Sequence, residues 1–424
     1  MNNRAIETPH AGKRLQEWRD SWGVVLAAAI GVGISGMHVH FVGTLIKPFE
    51  LAYGWTRAEV AFGLTLMQLV APLTYVLSGM LCDRFGARRV ALTGVWGFGI
   101  GFGLMGLAGP ALWTWYAACL SFAFLALACG AIVWSTVVVK RFVHARGLAL
   151  ALSLAGGGFM VSITPMLVLF LVEFTGIRGV FFTISICGTL LMFIPAYFFF
   201  HDEKVRGKSE AAAIRSSTPL PGHTVAEALR SRPFWWLAIA LFLVASCIGL
   251  FVAHLQPMLM DAGLTAQSAA SIAFFMGPAM IIGRISIGFL FDIFECRTIS
   301  AIAFIIPSIA CFMLLQLDGN YAMAAVTAVF IGLGMGAEVD VIAYLTSRYF
   351  GLRRYGVLFA ILVAVNAGAI GLSSVIAGVV FDSLHSYQPM LMVLGIGAII
   401  ATLLAATMGK PTRTAEGLTI HGAH

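Results

Sequence analysis

Hydrophobic positions in this chain run in long blocks separated by short polar connections. The blocks lie near 22–46, 58–81, 90–108, 112–138, 148–172, 179–200, 233–256, 267–291, 299–316, 321–346, 356–380 and 389–408. Each is close to or longer than the roughly 20 apolar residues that cross a bilayer. A helix satisfies its backbone N–H and C=O groups internally, as lipid demands, and these runs are too long and too continuously apolar for barrel strands. The pattern therefore predicts an all-α integral membrane protein of twelve transmembrane helices in two six-helix bundles. A cytoplasmic tail (1–21) precedes the first bundle (22–200). The polar stretch 201–232, "HDEKVRGKSEAAAIRSSTPLPGHTVAEALRSR", reads as a cytoplasmic linker to the second bundle (233–408), which a second tail (409–424) follows.

Composition agrees. Of 424 residues, 60% are hydrophobic and 11% charged, against about 25% charged in a soluble domain. Charge sets the expected orientation. Of 26 Lys and Arg, 22 fall in the segments assigned to one side, and only Lys47, Arg57 and Arg178 on the other; Arg284 lies within a span. Cytoplasmic loops collect Lys and Arg, so both termini are expected in the cytoplasm, with a bacterial plasma membrane as the location. The net charge of +7 reflects that topology, and no basic stripe points to nucleic acid. The polar N-terminus leads into about 25 apolar residues, too many for a cleaved signal. The seven cysteines lie mostly within spans and lack a Cys-x-x-Cys pair, so no disulfide, metal site or cofactor is expected. No Walker motif or nucleophile constellation supports an enzyme, and no soluble sensor domain supports a receptor.

The chain repeats itself. Pro48 and Pro257, Gly54 and Gly263, Gly79 and Gly288, Asp83 and Asp292, and Gly147 and Gly356 are all 209 residues apart. Parallel repeats related by an axis along the membrane normal are a transporter design, with the substrate expected between the halves near the midplane.

Within this repeat, "GMLCDRFGARR" at 79–89 resembles the loop 2–3 signature of the major facilitator superfamily, matching at Gly79, Asp83, Arg84, Gly86, Arg88 and Arg89. "GFLFDIFECR" at 288–297 is its degenerate copy, with Gly288, Asp292 and Arg297. The resemblance implies a conformational latch of Gly79, Asp83, Arg84, Arg88, Gly288, Asp292 and Arg297. "WGVVLAAAIGVGISGMHVHF", "RGLALALSLAGGG", "GRISIGFLFD" and "SRYFGLRRYG" further resemble the monocarboxylate transporter and oxalate–formate antiporter branch. That branch implies secondary transport of a small organic anion by a monomer, without cofactors.

The intramembrane charges carry the candidate chemistry. A charge at the centre of a spanning helix costs about 2.5–3.5 kcal/mol on insertion scales. Arg284 is roughly 12 Å from the inner interface at about 1.5 Å per residue, so it must face a partner or a water-filled cavity. Its guanidinium cannot deprotonate and offers a planar fork to a carboxylate; the family resemblance makes it the substrate-carboxylate arginine. The alternative is a structural ion pair with Glu338 or Asp340, which lie at similar depth on the tenth span about 200° apart. Those carboxylates are candidate proton carriers. His40 falls where the monocarboxylate transporters carry a lysine, and it is a candidate for the anion or the proton. Met280 replaces the family's aspartate four residues before the arginine, so its usual proton acceptor is missing. The eleventh span has no Lys or Arg, and its one strongly polar residue, Asn366, joins the candidate substrate contacts. So do Tyr75, the repeat mate of Arg284, and His254 at the outer end of the seventh span. A single fixed cation suits a monoanion, moved with a proton. Anion exchange, and transport of amphipathic or neutral solutes with Arg284 in a structural pair, are the alternatives.

Overall fold

The computed structural model describes residues 9–142, 145–200, 222–351 and 353–409, with backbone only for 9–14, Arg146 and Asp292. Most of the expected linker (201–221) and parts of both tails lie outside the described residues. The elements are α1 (Pro9–Gly36), α2 (His38–Tyr53), α3 (Arg57–Phe85), α4 (Ala87–Gly106), α5 (Leu112–Leu125), α6 (Ala131–Arg141) and α7 (Arg146–Phe199). After the linker come α8 (Val225–Arg230), α9 (Arg232–Asp261), α10 (Ala266–Ala273), α11 (Met276–Ile293), α12 (Cys296–Leu314), α13 (Tyr321–Phe350), α14 (Tyr355–Leu384) and α15 (Gln388–Thr407). Among the described residues the only β-pairing is an isolated bridge between Gly222 and Gly351.

Ten stretches among the described residues are long and apolar enough to cross a membrane. The sequence pattern gives twelve, and two features account for the difference. The expected fifth and sixth spans form one 54-residue helix, α7, broken at Gly176 (φ 69°), a backbone angle that glycine adopts without a Cβ penalty. The expected third span is α4, a 20-residue helix whose first turn carries Arg88 and Arg89 and which does not belong to the ten. The first span is interrupted too: α1 ends at Gly36 and α2 starts at His38.

The chain divides into two compact units, residues 1–41 with 73–202, and residues 42–72 with 203–424. The first unit is built on α1, α4, α6 and α7. Its core is aromatic: the Phe41 ring lies 4.9 Å from Phe102 and 5.0 Å from Phe181, both edge-on. Edge-to-face pairs of this kind add about 0.5–1.5 kcal/mol beyond area burial.

The second unit packs α9 on α14 and α15, α12 on α13 and α15, and α11 on α13. It also takes in residues 42–72, which the sequence groups with the first bundle. Local packing explains the difference. A Cβ at Gly43 would lie 2.8 Å from the Ala253 carbonyl oxygen, and the Thr65 hydroxyl donates to the Gly371 carbonyl at 2.6 Å. Without a hydrophobic drive between helices in lipid, close approach at small residues and interhelical hydrogen bonds decide which segments stay together.

The same device sets α11 against α13. A Cβ at Gly283 would come within 3.0 Å of the Leu333 Cα, and one at Gly336 within 3.0 Å of the Arg284 backbone nitrogen. The two helices thus run almost backbone to backbone beside Arg284. Gly336→Ala is expected to push them apart and destabilise the fold by about 1–3 kcal/mol, seen as earlier melting in detergent. Gly288→Ala, whose added Cβ meets nothing within 4 Å, is the control and should leave melting unchanged or raise it.

Candidate functional site

The glycine contact between α11 and α13 brings Arg284 beside Asp340. Arg284 Nε lies 3.4 Å from Asp340 Oδ2, with side chains 21% and 35% exposed. The contact is electrostatic, since Nε has no hydrogen-bond partner. Among the described residues the two terminal guanidinium nitrogens also bond to nothing. Asp340 therefore offsets the charge and leaves the guanidinium fork open. Two N–H donors on a rigid plane fit a carboxylate bidentately.

Glu338 lies two residues before Asp340 on α13 and turns to another helix. It is 5% exposed, and the amide Nδ2 of Asn366 on α14 donates to its Oε1 at 2.5 Å. Asn366 is itself buried, at 8% exposed. Two carboxylates on one turn thus have different partners, a cation for Asp340 and an amide for Glu338.

The arrangement in the second unit, an arginine in a spanning helix with an open fork and an acidic neighbour, sits in a chain whose residues 28–373 match the family model for the Major Facilitator Superfamily. The chain belongs to the major facilitator superfamily. It is a multi-pass membrane transporter, not an enzyme. It is similar to the uncharacterised MFS-type transporter YhjX of Escherichia coli, 24% identical over 75% of this chain and 83% of that protein. It is also similar to monocarboxylate transporter 2 of Homo sapiens, 24% identical over 90% of this chain and 84% of the relative. Among solved structures, a D-xylose–proton symporter shares the fold with a TM-score of 0.69 at 14% identity, over 93% of this chain and 99% of that one.

Other candidates of this transporter fall elsewhere. His40 and Tyr75 belong to the first unit. His40 is half-buried, and its neighbour His38 shares Nδ1 with the Ser35 carbonyl at 2.8 Å. The Tyr75 side chain is 41% exposed. In the superfamily signature, Gly86 takes φ 87° ahead of α4, Asp83 and Arg84 are exposed, and Arg88 donates to the Tyr197 carbonyl at 3.0 Å. In its copy, Arg297 Nη2 meets Glu295 Oε1 at 2.7 Å, and a Cβ at Gly288 or at Gly79 would meet nothing within 4 Å. The Asp292 side chain lies outside the described residues.

His254 is wholly buried and both its nitrogens are engaged. Nδ1 meets the Tyr387 hydroxyl at 2.9 Å and Nε2 the Ser374 carbonyl at 2.8 Å. Tyr387 leads to a cluster that the sequence did not signal. Arg57, 2% exposed, donates through Nη1 to Tyr387 at 2.9 Å and binds both oxygens of Asp261, at 2.5 and 2.9 Å. Its guanidinium carbon stacks 3.6 Å from the centre of the Phe381 ring. Asp382 accepts the backbone N–H groups of Arg57 and Ala58 at 3.2 and 3.0 Å, capping the start of α3 from α14. Arginine only donates, so the Tyr387 oxygen accepts from it and the hydroxyl proton goes to His254 Nδ1. Nε2–H must then donate to Ser374, which fixes a neutral tautomer.

Arg57→Ala would strip Asp261 and Tyr387 of their donor. A loss of about 1–3 kcal/mol is expected, or a melting temperature lower by several degrees at roughly 2–4 °C per kcal/mol. Arg57→Lys keeps the charge without the fork and should fall between. Thermal unfolding in detergent measures all three proteins.

Proposed function

We propose that this transporter carries a small organic anion, with a monocarboxylate as the preferred substrate, by alternating access and together with a proton. The single observation behind this reading is the open fork of Arg284, held beside Asp340 at 3.4 Å but bonded to nothing else among the described residues. A substrate carboxylate occupies one N–H on each of the two terminal nitrogens; when it leaves, Asp340 remains as the counter-charge. The resemblance to monocarboxylate transporter 2 supports the same substrate class. One fixed cation favours a monoanion over a dianion. The reading places the protein in a bacterial plasma membrane as a monomer with both termini cytoplasmic. The paired signature loops 79–89 and 288–297 serve as its latch.

A second reading draws on the same ion pair. If Arg284 and Asp340 only neutralise each other, the transported solute is neutral or amphipathic and the pair is part of the scaffold. Calorimetry on purified, folded protein with lactate and pyruvate separates the two. On the anion reading, Arg284→Ala binds at least roughly a hundredfold more weakly, since charge-assisted hydrogen bonds contribute about 1.5–3 kcal/mol each and about 1.4 kcal/mol is tenfold. Arg284→Lys then binds weakly. On the scaffold reading, Arg284→Ala melts early, is rescued by Asp340→Asn, and neither protein differs from wild type toward carboxylates.

A further inference from the structure

The geometry around α13 points to a division of labour between its two carboxylates: we propose that Glu338 is the proton-binding group, that Asn366 positions it, and that Asp340 stays ionised as the counter-charge of Arg284. The assignment rests on the anion reading above for its role in transport, and on separate observations for the site itself.

Glu338 is 5% exposed and, among the described residues, no cation lies within ion-pair distance of it. Its neighbours Ala337, Val341, Ile342 and Leu362 belong to the apolar core of the second unit. An ionised carboxylate buried with only an amide for company bears a desolvation cost that a carboxylic acid escapes. The helices packed on α13 offer nothing to change that. From α9 the titratable neighbour is the Cys247 thiol, which is linked in turn to Cys311 on α12. From α11 it is Arg284, already facing Asp340. No Asp, Glu, Lys, Arg or His lies on α10, and α14 supplies Asn366. Asp340 differs in having a permanent cation 3.4 Å away as its partner.

Asn366 explains how one site can hold both protonation states. An amide has donors on nitrogen and an acceptor on oxygen. Toward the carboxylate, Nδ2–H donates to Oε1, the bond present here at 2.5 Å. Toward the carboxylic acid, a turned amide accepts the acid O–H through Oδ1. No other group need move when the proton enters or leaves.

Electrostatics then links proton to anion. With a carboxylate on Arg284, one cation stands against three anions, the substrate, Asp340 and an ionised Glu338, in a medium where charges interact strongly. A proton on Glu338 removes one of the two excess negative charges, so anion and proton bind better together than apart.

The test uses two readouts on full-length protein, each for wild type, Glu338→Gln, Asp340→Asn and Asn366→Leu. The first needs no substrate: infrared difference spectra across a pH titration follow the carboxylic-acid C=O stretch of a buried group. The band is expected in wild type and Asp340→Asn and absent from Glu338→Gln. In Asn366→Leu the carboxylate loses its one hydrogen bond, so the proton is held to higher pH and the midpoint rises by about one unit or more. A merely structural Asn366 would leave the midpoint in place. The second readout is the buffer dependence of the calorimetric heat of lactate binding, expected to report proton uptake in wild type and none in Glu338→Gln. A band that survives Glu338→Gln, or one that vanishes in Asp340→Asn, overturns the assignment. If lactate and pyruvate fail to bind the wild type while the band behaves as described, the anion reading falls and the proton site stands.

Discussion

A charge placed on a membrane-spanning helix must find its partner within the protein, because hydrocarbon supplies none. The second unit meets this constraint in two contrasting ways. Arg57 has two carboxylate oxygens, a tyrosine hydroxyl and an aromatic face around a side chain that is 2% exposed. Arg284 has one electrostatic contact and no hydrogen bond among the described residues. The same residue type is spent on cohesion in one place and left available in the other. That difference in saturation, more than the presence of a charge in a span, separates a scaffold arginine from one with donors to offer.

Availability depends on packing. Gly283 and Gly336 let α11 and α13 approach so closely that an added Cβ would run into the facing backbone. The approach holds Asp340 near Arg284 without demanding a hydrogen bond between them. On the other side of α13, the turn from Asp340 back to Glu338 carries a second carboxylate away from the cation and toward Asn366. Helical periodicity thus divides two acidic residues between two environments, one polar and paired, the other apolar.

Much of this was legible in the sequence because lipid imposes blunt rules. Apolar blocks give spans, and a lone arginine in "IIGRISIG" announces itself. The angle of about 200° between Glu338 and Asp340 already required two different partners, although it could not say that Asn366 was one of them. The Arg57 cluster was not legible. Arg57 and Asp261 are 204 residues apart and Arg57 and Tyr387 are 330 apart, and no periodicity links such positions. The one hint was a departure from the repeat, since Ala266 occupies the place that Arg57 has in the first half. The grouping of residues 42–72 with the second unit depends on contacts such as Thr65 with Gly371, which composition cannot register. His254 reads in sequence as a polar residue at a helix end; its burial follows from Tyr387, whose position only the fold supplies.

The line of hydrogen bonds through Arg57, Tyr387, His254 and Ser374 resembles a wire but is an insulator. Conduction of protons along such a line requires a first member that can release one and a last member that can take one up. Here the first is a guanidinium, which keeps its protons at any accessible pH, and the last is a backbone carbonyl, which cannot store one. Every donor in between already points the same way. A membrane protein can therefore bury a histidine and a tyrosine side by side in its wall without opening a path for protons across the membrane.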